Sequence, residues 1–348
     1  MKVKITVCIP AYNRPELLPA LLESILNQDY DSYNIVICED DSPKRREIRK
    51  VVSQYIAQRQ GLIQYHENEE NLGFDGNVRR LFAKADGEFC LLMGNDDLMC
   101  PKALSTVAAA LKRYDNVGVV MRSYASFEGA PENIKQVHRY FDTFRFFPAG
   151  PDTMVTFFRR SVVLPGVTIH RESALKYDTD QFDGVALYQV YLVANILADK
   201  NGLFLPEILV LNRHGGIPDL GNNPKERARF VPTKQTPESS VYFVKGMLEI
   251  AKYIEEKRRI KIYEKILKDI GNYSYPILSI QAKRRSSVFL RYSYHLAQLG
   301  FWKNERFYLY LLGLLILGPD RMDDLVSLIK QKVGFTPVLG GIYTGRSA

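Results

Sequence analysis

The sequence predicts an α/β fold: a mostly parallel sheet with helices on both faces, followed by a basic, mainly helical C-terminal appendage. Three observations carry this. Strand-like and helix-like segments alternate four times within residues 4–122. The strand segments are unbroken apolar runs, as in strands buried on both faces, and not half-exposed alternations. The last third of the chain then changes in both charge and periodicity. The expected division is a domain over residues 1–230 and a basic helical region over 231–348. The boundary falls in a loop rich in Gly and Pro at 214–237.

Each element follows from local chemistry. Residues 4–9 are a β-branched run closed by Pro10, the first strand. Asn13-Arg14-Pro15-Glu16 reads as a helix start, with Asn as the cap and Pro and Glu in the first turn. Leu17, Leu18, Leu21, Leu22, Ile25 and Leu26 then recur at helical spacing. Residues 35–38 form a second buried strand that runs into Glu39-Asp40-Asp41-Ser42-Pro43 and a charged helix over 44–59. Strands at 62–66, 88–93 and 117–122 and helices at 76–85 and 101–114 complete the alternation. A strand at 167–170, a helix at 186–197 and a last strand at 208–212 follow an irregular stretch rich in Phe, Tyr and Arg.

Composition narrows the class. The chain of 348 residues is 46% apolar and 25% charged, an ordinary globular balance that excludes disordered and collagen-like chains. It has no low-complexity run and no internal repeat. Cys8, Cys38, Cys90 and Cys100 form no C-x-x-C pair, which argues against a disulfide scaffold, a zinc ribbon or a thioredoxin-type site and for a reducing, cytoplasmic compartment. The apolar run at the N-terminus is too short for a signal peptide. Residues 1–224 hold 25 basic and 28 acidic side chains, whereas 225–348 hold 22 and 11. Such a tail suits an anionic partner, or else forms solvated helix faces.

Ligands of doubly wound sheets bind beyond the carboxyl ends of the strands. Those ends are here Ala11-Tyr12-Asn13-Arg14, Glu39-Asp40-Asp41-Ser42 and Gly94-Asn95-Asp96-Asp97. The Gly-x-Gly-x-x-Gly loop of a dinucleotide site and the phosphate loop of nucleoside triphosphatases are both absent. A phosphate must therefore be neutralised otherwise. Vicinal carboxylates holding Mg²⁺ or Mn²⁺ are the usual alternative. Asn95-Asp96-Asp97 is the best candidate, with a helix-capping Asp as the plain alternative.

These motifs carry a resemblance. Val7-Cys8-Ile9-Pro10-Ala11-Tyr12-Asn13-Arg14, Ser24-Ile25-Leu26-Asn27-Gln28, Cys38-Glu39-Asp40-Asp41-Ser42, Asn71-Leu72-Gly73 with Asn77, and Gly94-Asn95-Asp96-Asp97 stand in one order. In that order they resemble the family 2 glycosyltransferases with the Rossmann-like GT-A fold, over residues 3–125, and more loosely the abequosyltransferase-type members. The resemblance implies a nucleoside-diphosphate sugar as donor. Pro10, Ala11, Tyr12 and Asn13 would line its base and ribose, and Asp41 with Asp40 would hydrogen-bond the base. Asn95-Asp96-Asp97 takes the place of a D-x-D motif, with Asn95 at its variable first position, Asp96 toward ribose or sugar and Asp97 on the metal.

An inverting transfer needs a base for the acceptor hydroxyl. The usual Glu-Asp pair of the family is missing, and Asp178, Asp180 and Asp183 are open for the role. Asp183 is the candidate because it lies nearest the next helix, where a helix cap is its other reading. Arg213, beside His214 at the start of the loop, would grip the diphosphate. Gln136-Val137-His138-Arg139-Tyr140 imitates a motif of processive synthases but stands before the base segment, so a single addition is expected. The acceptor would be a glycan or lipid-linked glycan of surface polysaccharide assembly.

The apolar run 307–317 is about 11 residues, too short to span a bilayer. With its basic flanks it is expected either to lie peripherally on an anionic leaflet or to be the core helix of a bundle that packs on the catalytic domain or on a second subunit; membrane and subunit contact are compatible. No nucleic-acid-binding module is present. Two rivals stand beside the transferase: a nucleotidyltransferase, which would carry a Gly-rich basic loop after the first strand, and a catalytically silent scaffold that binds nucleotide sugar or glycan.

Overall fold

The computed structural model describes residues 2–216 and 219–336 and the backbone of 346–347. Ile217 and Pro218, part of the expected loop, lie outside the described residues. The first half alternates as its apolar runs require. Strands β1 (Ile5–Ala11), β2 (Tyr33–Glu39), β3 (Ile63–Glu67) and β4 (Phe89–Leu92) lie side by side in the order β3-β2-β1-β4, all parallel. Helices α1 (Leu18–Leu26), α2 (Arg45–Gln58) and α3 (Gly73–Lys84) make the crossovers between them. The Leu stripe expected of α1 is its buried face: Leu18, Leu21, Leu22 and Ile25.

Two local expectations change. Pro10 does not end β1, because β4 pairs only as far as Cys8 and no ladder partner is waiting for the missing N–H. Asn13 does not cap α1. It and Arg14 take left-handed backbone, φ 51° and 58°, which turns the chain over the strand end, and α1 begins after Leu17.

The second half completes a mixed sheet. β5 (Leu98–Met99) and α4 (Ala103–Arg113) lead into β6 (Val117–Phe127), then β7 (Ile134–His138), β8 (Arg145–Phe147), α5 (Pro151–Phe158), β9 (Thr168–His170), α6 (Arg171–Lys176), α7 (Tyr188–Leu197), β10 (Asn201–Arg213) and α8 (Pro224–Arg227). β9 is antiparallel to both neighbours and joins β4 to β6; β10 runs parallel to β6. The long pairings are thus parallel and the antiparallel ones short. β6 extends five residues past the expected end because Ser123 and Ser126 are buried by pairing with β7 and β10. β10 begins well before the expected 208. Its register against β6 shifts between Leu205 and Ile208, the stretch that holds Pro206. His170 at the end of β9 caps α6 by accepting the Ser173 amide on Nδ1.

The C-terminal helices are α9 (Pro237–Arg258), α10 (Tyr263–Asn272), α11 (Tyr275–Ala282), α12 (Ser286–Gln298), α13 (Glu305–Leu317) and α14 (Pro319–Val333); a two-residue strand β11 (Arg346–Ser347) pairs β8. α9 opens on a capping box between Thr236 and Ser239 with Pro237 in the first turn. Its Tyr253 packs on Phe182 and Tyr191 beside α7. Arg159 and Arg160 both reach the buried Asp269 of α10. One apolar core runs unbroken from Ile5 to Met322, across the expected boundary.

Candidate active site

The parallel strands end at one rim, and the polar turns there enclose a cleft of about 390 Å³. Pro10, Tyr12 and Arg14 come from the end of β1, Asp40 from β2, Asn95, Asp96 and Asp97 from the turn after β4, and Arg213 from β10. Asn71 and Asn77 line it from the start of α3, and Asp219 and Glu226 from the segment around α8.

Asp97 is buried at the base of this wall. Its Oδ1 accepts from the Asn212 amide (2.9 Å) and from the Arg213 backbone N–H (3.0 Å), so the strand β10 end orients it. Burial, reinforced by the neighbouring Asp96, pushes its carboxyl well above the usual carboxylate range. Gly94 is required behind it, since a Cβ there would run into the Asp97 carboxylate. Asp96 pairs with Arg14 at 2.6 Å, and the Arg213 Nε donates to the Asp96 carbonyl. Arg213 also stacks its guanidinium over Phe127 at 4.6 Å. Asn95 points the other way. Its amide donates to the Tyr12 carbonyl (3.1 Å) and ties the left-handed turn after β1 to the turn after β4.

Asp40 is set by a buried amide chain. The Asn68 Nδ2 donates to Asp40 (2.7 Å) and to the Asn77 Oδ1, and the Asn77 Nδ2 donates to the Cys38 backbone carbonyl. The Leu72 backbone N–H adds a further bond to Asp40 at 2.9 Å. Burial wins over these bonds and pushes the carboxyl up to about 6. Tyr12 opposite is raised to about 12, first by burial and then by Asp219 and Asp40. Asp41 takes φ 50° and turns away, half exposed, to pair with Arg45. Ala11 and Asn13 do not line the cleft with their side chains. Their carbonyls serve it indirectly, taking the Asp40 N–H and the Asn95 amide.

Asp183 lies outside the cleft lining. Its carboxylate is buried between the Arg79 guanidinium, which binds both oxygens at 2.6 and 3.0 Å, and Lys225 at 2.8 Å. It is not the cap of α7 either. That role belongs to Asp75 of α3, whose two buried oxygens accept the backbone N–H groups of Gly184, Ala186, Leu187 and Tyr188 at 2.8–2.9 Å. Asp178 accepts from the Tyr188 hydroxyl. Sequence reasoning missed Asp75, more than a hundred residues from the helix it caps. It also missed Glu226, a buried carboxylate that takes the Phe74 and Gly221 amides and holds the α8 segment against α3. The one available sign of Glu226 was Asn223-Pro224, a helix start inside the expected loop, where Asn223 accepts the Lys225 amide.

The sequence pattern described as Glycosyl transferase family 2 matches residues 6–168. Abequosyltransferase RfbV of Salmonella typhimurium is 33% identical over 107 residues, 31% of this chain and 32% of that protein. A GalNAc(5)-diNAcBac-PP-undecaprenol beta-1,3-glucosyltransferase of Campylobacter jejuni is 32% identical over 105 residues, 30% of this chain and 33% of that one. The matches thus span about a third of these relatives' own length. In three dimensions the chain is similar to residues 1–349 of S. aureus TarS, solved with UDP-GlcNAc. That likeness has TM-score 0.58 and 17% identity and covers 85% of this chain and 80% of that one. The mannosyltransferase PcManGT of Pyrobaculum calidifontis, solved with GDP-Man and Mn²⁺, gives TM-score 0.51 and 16% identity over 91% and 87%. The ordered strand-end motifs, the antiparallel strand set into a parallel sheet and these matches agree: residues 6–168, a little under half of the chain, match the family 2 glycosyltransferase pattern, and the fold is the GT-A-like α/β fold of these solved glycosyltransferases.

Proposed function

We propose that the cleft binds a nucleoside-diphosphate sugar and that the enzyme moves its sugar, once and with inversion, to a hydroxyl of a glycan or lipid-linked glycan acceptor in surface polysaccharide assembly. One observation carries this: the ends of β2, β4 and β10 bring Asp40, Asp96, Asp97 and Arg213 to a single cleft that has no glycine-rich phosphate loop. The activities for which the relatives are named and the donors in the similar structures support the same reading.

Asp40 and Tyr12 are set to take the base and ribose, and Arg213 to grip the diphosphate with the fork that Asp96 already orients. The donor set fits a divalent ion, Mn²⁺ or Mg²⁺. Asp97 and Asp96 offer two adjacent carboxylates. Among the described residues no three His, Cys, Asp or Glu gather around one point, so an ion there must complete its shell with diphosphate oxygens. A bound ion would neutralise the leaving diphosphate. The burial that makes an ionised Asp97 costly is the physical reason to place the ion on that residue.

The surroundings of Asp183 and Asp219 bear on the choice of base. Asp183 is occupied by three charged N–H donors. Asp219 lines the cleft and has Arg14 beside it at 3.9 Å. We assign the base to Asp219 and a bracing role to Asp183. The engagement of Asp183 also favours one rival, a silent scaffold that binds donor without turning it over. Purified protein with UDP-, GDP-, CDP- and dTDP-sugars, with and without Mn²⁺, separates the two: the transferase shows metal-dependent nucleotide release with one base, the scaffold a thermal shift alone.

A lipid-linked acceptor would bring the enzyme to the inner face of the cytoplasmic membrane, with the basic helical region as the side that meets it.

A further inference from the structure

Helix α13 is apolar on every side after its first turn. Only part of it is covered: Phe307 and Leu314 are buried on the core, and Tyr310 packs on Tyr275 and donates its hydroxyl to the Asn272 carbonyl. The opposite stripe faces outward. Leu309, Leu312 and Ile316 are 64%, 54% and 76% exposed, and Tyr308 and Leu315 lie beside them at helical spacing. α14 folds back against α13 through Met322 on Gly313 and exposes Leu325, Leu328 and Ile329. Trp302, 58% exposed, stands just before α13 with the Lys303 ammonium over its ring. A contiguous apolar face of this kind marks a surface that is covered in use.

Charge decides what covers it. Residues 283–332 carry nine Lys and Arg against four Asp and Glu. Two copies meeting through this face would bring like-charged regions together, whereas an anionic leaflet would neutralise them. Among the described residues no helix is long and apolar enough to cross a membrane, and α13 has 13 residues. A short helix with an exposed apolar stripe, an adjoining Trp and basic flanks lies in the interface plane. We propose that the α13–α14 hairpin docks the enzyme on an anionic phospholipid surface, with Leu309, Leu312 and Ile316 inserted. This deepens the lipid-linked reading of the acceptor above, yet it rests on the surface alone.

The test is flotation of the full chain with phosphatidylcholine vesicles, with and without about 30 mol% phosphatidylglycerol. Two variants are compared with the parent: Leu309→Ser/Leu312→Ser/Ile316→Ser and Lys303→Glu/Lys332→Glu. All five positions are exposed, and circular dichroism with the donor-induced thermal shift reports that fold and cleft are intact. The parent is expected to partition at least about tenfold better into the anionic vesicles, and less so in high salt; the apolar variant loses about tenfold or more, and the charge variant loses the preference for anionic lipid. Equal binding by parent and apolar variant, or no binding at low salt, overturns the proposal. So does a concentration-dependent dimer in sedimentation velocity that the apolar variant dissociates, which assigns the face to a second copy. The vesicle readout does not involve turnover, so failure of the acceptor reading leaves it unaffected.

Discussion

Asp97 holds a conflict that a cation would relieve: a carboxylate is buried beside a second carboxylate, and its folded-state pKa is raised. A raised pKa means that the free protein is more stable with the proton on, and that this stability is lost as pH rises through the folded value. Asp97→Asn is therefore expected to raise Tm at neutral pH by about 2–4 °C without donor, while lowering turnover about 100-fold or more. A variant that lost both would place Asp97 in the scaffold instead. Asp40 gives a separate test. Its carboxyl stands at about 6, ionised above and neutral below. If the ionised form accepts from the nucleotide base, nucleotide-sugar affinity falls as pH drops through that value, and Asp40→Asn shows no such step in calorimetric titrations. The base assignment divides cleanly as well: Asp219→Asn should lower kcat by about 10²–10⁴ with Tm unchanged, whereas Asp183→Asn should lower Tm with a smaller kinetic effect. At this scale the sequence was legible where adjacent residues share a turn, as in Asn95-Asp96-Asp97. It was not legible where a side chain's fate depends on distant partners. Asp183 read as a base or a helix cap because Arg79 and Lys225 are far from it in the chain, and Asp41 as a partner of the nucleotide base because nothing local reveals its left-handed turn toward Arg45.

Elements were legible in proportion to their burial. The continuous runs in β1, β2 and β4 and the Leu stripe of α1 leave few alternatives, and they lie where expected. β5, β7, β8 and β11 are short and take their pairing from neighbours, so no local pattern announces them. The antiparallel β9 was visible as a strand, but its direction is set by where the chain returns, which periodicity does not encode. The start of α7 shows how an element can depend on another. With four backbone N–H groups on the Asp75 carboxylate, Asp75→Ala should cost about 2–4 kcal/mol in chemical denaturation, and Asp75→Asn less, because one oxygen still accepts. Equal stability of Asp75→Ala and the parent would show that water replaces the cap.

For the whole molecule, a division at residue 231 was read from composition, whereas the apolar core runs through it. The junction includes Asp269, nearly buried between Arg159 and Arg160, with Arg159 also stacked on Tyr273 at 3.8 Å. Removing the carboxylate leaves two confined guanidinium groups without their counter-charge. Asp269→Ala is thus expected to cost about 3–5 kcal/mol, and the shared core to keep the melting transition single. Two transitions would restore the boundary. The charge asymmetry of the chain also finds a place at this scale, with the acidic part around the donor cleft and the basic part around the exposed α13–α14 face. The central claim is that the cleft is a metal-assisted nucleotide-sugar site, and the most direct measurement is calorimetric titration of the parent and Asp97→Asn with the four nucleotide sugars, with and without Mn²⁺. The account predicts binding of one base class by the parent that strengthens at least about tenfold with the ion, and no ion effect in the variant. Donor binding by the parent that ignores the metal, or an unchanged ion effect in Asp97→Asn, would contradict it.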